Sequence, residues 1–479
     1  MSDSLKGRRV VVAGASGFVG RWLCAALIAE GAEVVGLGRS VKDGAHQDGV
    51  SWKRCDLFSL LDCERGLEGA DIVYYLVHSM MPSTRLTQAT FEDMDLILAD
   101  NMARAAAFVG AKRIIYLGGL IPTDQDQLSR HLSSRLEVEA ALGAHGVPVT
   151  PVRAGLVLGP RGSSFDMLRL LVERLPGMVL PPWTRTPTQP IWIGDVVQVM
   201  VRVVAQNVAL GESLDVGAPQ VLRYRELIEE MAVALNAQPR IMDIPFGPKA
   251  LSKLWVSLVT GTSRDLVAPL IDSLDHPMVA RNRDVQLALG VPGVPVSQAM
   301  TRALADNEPP LPTVPRGARP EQVNTVRSVQ RLPLPEDQNA DWAAQEYTAW
   351  MPRGLWPFLK VVQEDDGISS FRVAGLGVEL LRLRYSKSRS SPSRALLYVV
   401  GGLLAVKQPT KRGRLELRSA LNDRTLLAAI HDFEPSLPWY LYLSTQALVH
   451  LAVMNVFGWH LKDVANGQVP SAQHPRNGE

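Results

Sequence analysis

The sequence predicts an α/β fold, a doubly wound parallel sheet, followed by a second, α+β domain. Three observations predict it. Short runs rich in valine and isoleucine alternate with amphipathic helical stretches through the first half of the chain. A proline-rich stretch, Glu308-Pro-Pro-Leu-Pro-Thr-Val-Pro to Pro320, then interrupts the pattern. Beyond it, strand-like segments follow one another with no helix between them, and one long helical stretch closes the series. At 479 residues the chain is too long for one ordinary core.

In order, strands are expected at Arg9–Ala13, Glu33–Leu37, Ser51–Cys55, Ile72–Val77 and Arg113–Leu117. Val149–Val152 is a further strand despite Pro148 and Pro151, which each lack a ladder donor. Helices are expected at Phe18–Glu30, Leu96–Val109 and Ser129–Leu142. Looser helical patterns follow at Phe165–Arg174, Asp195–Ala205, Tyr224–Leu235, Pro248–Val259 and Val296–Ala305. In the second domain, strands are expected at Val323–Gln330, Ser369–Val373, Leu380–Tyr385, Leu396–Val406, Arg414–Ser419 and Leu426–Asp432, with helices at Ala340–Ala349 and Leu437–Val464. The resulting division is 1–307, a linker 308–322, a curved antiparallel sheet closed by a long helix at 323–465, and a polar, disordered tail at 466–479.

Charge is balanced, with 50 basic and 48 acidic residues and a formal net charge of +2. That gives no general field for nucleic acid, and no nucleic-acid partner is expected. The three cysteines, Cys24, Cys55 and Cys63, form no CxxC pair, so a reducing cytoplasm is the expected setting and no metal site is expected. The glycine-broken N-terminus lacks the apolar core of a signal peptide. Leu437–Trp459 has 23 residues without Asp, Glu, Lys or Arg, long enough to span a bilayer. Gln446 and His450, four apart, give it a polar stripe, which favours a helix packed on protein over a membrane anchor. Contact with a membrane surface stays open as an alternative.

The most informative motif is Gly14-Ala15-Ser16-Gly17-Phe18-Val19-Gly20, set between a strand and a helix. Gly14 permits the tight turn, Gly17 lets the backbone approach a pyrophosphate at the helix N-terminus, and Gly20 allows close packing of the helix. The spacing is G-x-x-G-x-x-G rather than G-x-G-x-x-G. In this setting it marks a dinucleotide-binding Rossmann domain. The second strand ends in Arg39-Ser40, where an acid would hold an NAD ribose; arginine there suits a 2′-phosphate, so NADP(H) is preferred, with NAD(H) the alternative. Asp56 and Leu57 end the next strand and are placed to meet the adenine; Val77 and His78, before Ser79 and Met80, are placed near the nicotinamide ribose.

These residues carry a resemblance to the extended and atypical short-chain dehydrogenases/reductases. The whole chain resembles bacterial NAD(P)-binding proteins of the YbjT type, which join such a domain to a C-terminal SRPBCC, or START-like, helix-grip domain. The resemblance rests on Gly14–Gly20, Tyr75-Leu-Val-His-Ser-Met80, Val152-Arg-Ala-Gly-Leu-Val-Leu-Gly159, Pro181-Pro-Trp183, Gly413-Arg-Leu-Glu-Leu-Arg418 and Leu437-Pro-Trp-Tyr440. The first half is also similar to the accessory subunit of respiratory complex I that has this fold. The resemblance implies a helix-grip cavity for a small hydrophobic ligand, with Trp350, Trp356, Trp439, Tyr440, Tyr442 and Trp459 as aromatic lining or as ordinary core.

It also implies a Tyr-x-x-x-Lys pair on one helix and a Ser or Thr after the fifth strand, which move the proton and orient the carbonyl. Here His131 and Arg135 stand at the pair's positions, and Gly118 and Gly119 stand where the hydroxyl belongs. His131 and Arg135 are the catalytic candidates, histidine being able to exchange a proton near neutrality. The other reading is that they line the cofactor or form a pair. Tyr74, Tyr75 and Tyr116 are expected in the core; Trp183 and Trp192 are candidates for a cleft wall, Arg153 is a polar position of interest, and Asp195 reads as a helix N-cap. Two functions compete: an NADP(H)-dependent oxidoreductase acting on a hydrophobic carbonyl or quinone-like substrate, and a non-catalytic NADP(H) sensor or scaffold. A nucleotide-sugar epimerase or dehydratase fits less well, because the usual proton-transfer set is missing.

Overall fold

The computed structural model describes residues 5–79, 87–124, 128–208, 210–244, 256–261, 263–305, 308–317, 326–405, 413–437, 442 and 445–472. Met80, most of the Pro248–Val259 helix, Val323–Thr325, Trp439 and Tyr440 lie outside these residues. The chain forms two compact units: residues 1–81 with 98–320, and residues 82–97 with 321–479.

The first unit is built on an eight-stranded sheet. Its order is Leu214–Val216, Val149–Ala154, Arg113–Gly119, Ile72–Tyr75, Arg9–Ala13, Glu33–Gly38, Val50–Arg54 and His46–Gln47, parallel except for the last strand. The chain builds outward from Arg9–Ala13 in one direction, then returns to its other side at Ile72–Tyr75. That reversal opens a crevice at the carboxyl ends of these two strands, the usual place for a dinucleotide. Strand burial is continuous at Val10–Ala13 and Ile72–Tyr75, as a sheet covered on both faces requires. Pro151 is tolerated inside its strand because the neighbour Leu214–Val216 begins its pairing only at Val152.

Helix Phe18–Ala29 turns Trp22, Leu23 and Leu27 into the core. Helix Arg130–Gly143 is capped by Ser129, whose side chain accepts from Leu132 N, and it buries Leu132, Arg135, Val138 and Leu142. Two expectations need correction. Asp195 is not an N-cap: helix Ile193–Ala205 starts two residues earlier, and Asp195 Oδ2 instead accepts from Val294 N at 2.7 Å. Trp192 does not wall a cleft; it is buried edge-to-face against Trp22, with ring centroids 5.8 Å apart.

The second unit holds an antiparallel meander, Leu359–Glu364, Ile368–Val373, Glu379–Tyr385, Arg394–Gly401, Arg414–Ala420 and Thr425–Phe433. Val326–Pro333 joins it beside the last of these strands, and the two-residue strand Thr87–Gln88 pairs parallel to Val326–Pro333 at the edge. Leu359–Glu364 has no counterpart among the sequence expectations; it is an edge strand whose half-exposed residues carry little alternation. Helices Ala340–Gly354 and Gln446–Ala465 share one core with the sheet. Tyr347, Trp350, Phe457 and Leu461 pack there with Phe371, Leu383, Leu397 and Leu417. His450 Nε2 lies 3.1 Å from Gln330 Oε1, so the polar stripe of the closing helix faces protein. Among the described residues, no helix is long and apolar enough to cross a membrane. Of the tail, Ser471 and Ala472 both donate to the buried Glu346 carboxylate.

Candidate active site

The glycine loop follows the first strand as the sequence requires. Gly14 has φ of +88°, a left-handed conformation open to glycine. A side-chain carbon at Gly20 would lie 2.2 Å from the Gly14 carbonyl oxygen and 2.7 Å from the Ala15 Cα. The close approach that Gly20 permits is therefore of the helix to its own loop. Gly17 N donates to Gly14 O at 3.0 Å, which closes the turn and leaves the start of helix Phe18–Ala29 facing the crevice. Ala15 is buried and Ser16 exposed.

At the adenosine end, Arg39 and Ser40 are exposed just after strand Glu33–Gly38. A side-chain carbon at Gly38 would come within 3.8 Å of Ser16 Oγ, so the strand end and the loop hydroxyl are neighbours. Asp56 Oδ1 accepts from Phe58 N at 3.2 Å. The Leu57 side chain is largely buried, and its carbonyl accepts from Asn101 Nδ2 at 2.8 Å.

At the other end, three sequence candidates come together. Arg135 Nη2 donates to His78 Nδ1 at 2.6 Å, and the rings of His78 and His131 are 5.0 Å apart. His78 and His131 are half-buried, and Arg135 is buried. The spacing of four on helix Arg130–Gly143 puts His131 and Arg135 on one face, and the same stripe continues to Glu139. Glu139 takes a bidentate ion pair from Arg153, with Nε–Oε1 of 2.8 Å and Nη2–Oε2 of 2.6 Å. Gly118 is needed there, since a side-chain carbon would sit 3.0 Å from the Tyr116 ring and 3.3 Å from Glu139 Oε1.

Tyr74 is a core residue whose hydroxyl donates to Met200 O, and burial pushes its phenol well up. Tyr116 is equally buried, yet the Arg135 guanidinium carbon lies 6.0 Å from its ring centre. It is part of the cluster. Sequence reasoning missed that contact and Glu139, although the His131–Arg135–Glu139 periodicity was a usable signal.

A cavity of about 420 Å³ lies further along the same strand's exit, lined by Pro122, Thr123, Asp124, His276, Pro277, Val279, Ala280 and Arg281. A side-chain carbon at Gly119, at that strand's end, would lie 3.8 Å from Arg135 Cγ, and the cavity wall begins three residues later. Arg281 is held by Asp215, with Nε–Oδ2 of 2.9 Å and Nη2–Oδ1 of 3.0 Å. Ser129, the cap of the His131 helix, meets Ser273 Oγ at 2.9 Å and so ties that helix to the segment leading into the cavity wall. Trp183 lies edge-to-face on Tyr224, 6.0 Å between centroids, and is packed against the core.

Residues 10–217 match the NAD dependent epimerase/dehydratase family. The N-terminal part of the chain is thus a Rossmann domain of this NAD(P)-dependent kind, as the strand reversal and glycine loop already required. Auxiliary protein GraX of Staphylococcus aureus is 31% identical over 143 residues, 29% of this chain and 42% of that protein. The chain therefore spans less than half the length of this relative. The mitochondrial NADH dehydrogenase [ubiquinone] 1 alpha subcomplex subunit 9 of Arabidopsis thaliana is 22% identical over 283 residues, 57% of this chain and 70% of that one. A nucleoside-diphosphate-sugar epimerase of Staphylococcus aureus superposes with a TM-score of 0.50 at 14% identity, covering 61% of this chain and 99% of its own. That likeness concerns the fold alone. In this epimerase/dehydratase-type domain, helix Arg130–Gly143 carries His131 and Arg135 four residues apart, with no Tyr-x-x-x-Lys on it.

Proposed function

We propose that the epimerase/dehydratase-type domain binds NADP(H) and reduces a hydrophobic carbonyl or quinone-like substrate. The observation that carries this reading is the His131–His78–Arg135 cluster, set at the carboxyl end of the sheet, with a cavity whose wall begins at Pro122, three residues beyond Gly119 on the neighbouring strand. Gly14, Ala15, Ser16, Gly17, Phe18, Val19 and Gly20 would take the pyrophosphate, Arg39 and Ser40 the 2′-phosphate, Asp56 and Leu57 the adenine, and Val77 and His78 the nicotinamide ribose. Bound NADPH supplies hydride. Arg135 holds His78 in place, and His131 donates the proton to the substrate oxygen. Pro122, Pro277, Val279 and Ala280 give the cavity apolar walls, with Thr123, Asp124, His276 and Arg281 to orient a carbonyl.

The second unit is assigned in this reading to the helix-grip type, holding a small hydrophobic ligand. Its support is the placement of the first strand beside the last of a meander, with a long C-terminal helix laid on the same core.

The deciding experiment is NADPH consumption by the full chain against a panel of quinones, aldehydes and ketones, with His131→Ala in parallel. Turnover that His131→Ala removes supports the assignment. Turnover indifferent to His131 removes this proton donor. Tight NADPH binding with no turnover across the panel favours the second reading, a nucleotide-binding sensor. Two features support that alternative: Arg135 is already committed to His78, and glycine stands where the orienting hydroxyl belongs.

A further inference from the structure

We infer that the proline-rich strap Pro312–Gly317 forms the outer wall of the adenosine end of the dinucleotide site, and that Arg316 is a second cation for a phosphate on the ribose 2′-oxygen. This rests on the NADP(H) reading above.

Composition marks 308–322 as a connection, but its described part is tied to two elements of the nucleotide crevice. Pro315 O accepts from Lys42 N at 2.9 Å, and Gly317 N donates to Ser40 O at 3.0 Å. Between these bonds, Arg316 bridges Val41 in antiparallel register. Thr313 N donates to Asp48 Oδ2 at 2.8 Å. At its start the strap reaches the first turn of the glycine-loop helix, where Arg21 Nε donates to Pro312 O at 3.2 Å. The strap thus runs from the pyrophosphate side to the turn after Arg39. The fit is close: a side-chain carbon at Gly317 would lie 2.5 Å from Val41 O.

Register then decides where Arg316 points. Residues opposite one another in an antiparallel bridge project to the same side. Val41 projects toward Gly38, since its Cγ1 would be 2.7 Å from a side-chain carbon there, and Ser16 Oγ lies within 3.8 Å of the same point. Arg316 therefore rises on the side of Gly38 and Ser16, beside exposed Arg39 and Ser40. Among the described residues, neither the Arg39 nor the Arg316 guanidinium has an acidic partner. Two exposed arginines and two serines at this end of the crevice, beside a helix N-terminus, would suit a phosphate dianion. Arg316 is contributed from 277 residues further along the chain than Arg39.

The test is calorimetric titration of the full chain and of Arg316→Ala with NADPH, NADH and adenosine 2′,5′-bisphosphate. The expected result is that Arg316→Ala weakens NADPH and the bisphosphate by about tenfold or more while NADH changes less than about twofold. Arg316→Gln, which keeps the stem, should behave the same way. Binding of the bisphosphate should also slow amide exchange at Lys42 and Gly317. If the unmodified chain prefers NADPH and Arg316→Ala leaves that preference intact, the inference fails and the NADP(H) reading stands. Equal loss for NADPH and NADH also overturns it, since the strap is then only structural. Should the unmodified chain show no preference for NADPH, the underlying reading falls and the inference with it.

Discussion

Arg135 Nη2 lies 2.6 Å from His78 Nδ1. A guanidinium can only donate, so this contact needs the lone pair on Nδ1 and places the ring proton on Nε2. Arg135 therefore does not do what a lysine does beside a catalytic tyrosine. It fixes the tautomer and position of His78; His131, its ring tilted by 45° with centroids 5.0 Å apart, is the residue the proposed mechanism uses to exchange a proton.

His131→Ala should accordingly separate chemistry from binding. NADPH affinity should change less than about threefold, while kcat on the best substrate of the panel falls on the order of a hundredfold. Steady-state kinetics with a parallel cofactor titration checks this. A loss confined to KM would assign His131 to substrate binding instead.

Gly20 and Gly17 should fail differently on substitution. In Gly20→Ala the new carbon meets backbone 2.2 Å away, so the loop must be rebuilt, and both cofactor affinity and melting temperature should drop. Gly17→Val meets Gly14 O at 3.2 Å and is tolerated by the fold more easily, yet it blocks backbone approach to a pyrophosphate. It should abolish binding with a smaller change in melting. Normal binding by a folded Gly17→Val would show that the loop is not the phosphate site.

Arg39→Ala should lower the preference for NADPH over NADH by about tenfold, with NADH affinity kept. Fluorescence titration of both cofactors gives the ratio. An unchanged ratio would remove Arg39 from the 2′-phosphate site.

The Glu139–Arg153 pair is buried, with side chains about a tenth exposed. Arg153→Leu leaves the carboxylate without its bidentate partner and should destabilise the first unit by about 3–5 kcal/mol. Replacing both residues by leucine should recover much of that loss, because the uncompensated charge is gone. Denaturant titration of the single and double variants distinguishes these outcomes; a single variant as stable as the parent would contradict the pairing.

His450 predicts an acid-side loss of stability in the second unit. Burial pushes its imidazole down to about 4. An unfolded histidine titrates near 6.5, so between these values the unfolded chain binds more protons. The contribution is complete above pH ~6.5, is lost as pH falls toward about 4, and is not lost as pH rises; it is roughly 3 kcal/mol. His450→Gln should flatten the stability profile between these limits, as read by melting temperature against pH.

Much of the cofactor domain was legible in the chain itself. Arg9–Ala13 begins and ends where its run of valines placed it, and Gly14, Gly17 and Gly20 form the turn their spacing requires. Such features are local: a left-handed φ, an i+4 stripe and an alternating run are properties of neighbouring residues. The same holds for His131 and Arg135 sharing a helix face and for the start of helix Ala340–Gly354, whereas the closing helix, expected from Leu437, begins at Gln446. Tertiary structure decided what those faces meet. The ladder Ile72–Tyr75 with Arg113–Gly119 brings His78 to Arg135, Asp215 holds Arg281 at the cavity, and the return of Pro312–Gly317 to Lys42 and Ser40 brings Arg316 back to the turn after Arg39. Each of these pairs residues tens to hundreds of positions apart. Contacts of that separation are chosen by the burial and hydrogen bonding of the whole fold, and no window of sequence holds both partners.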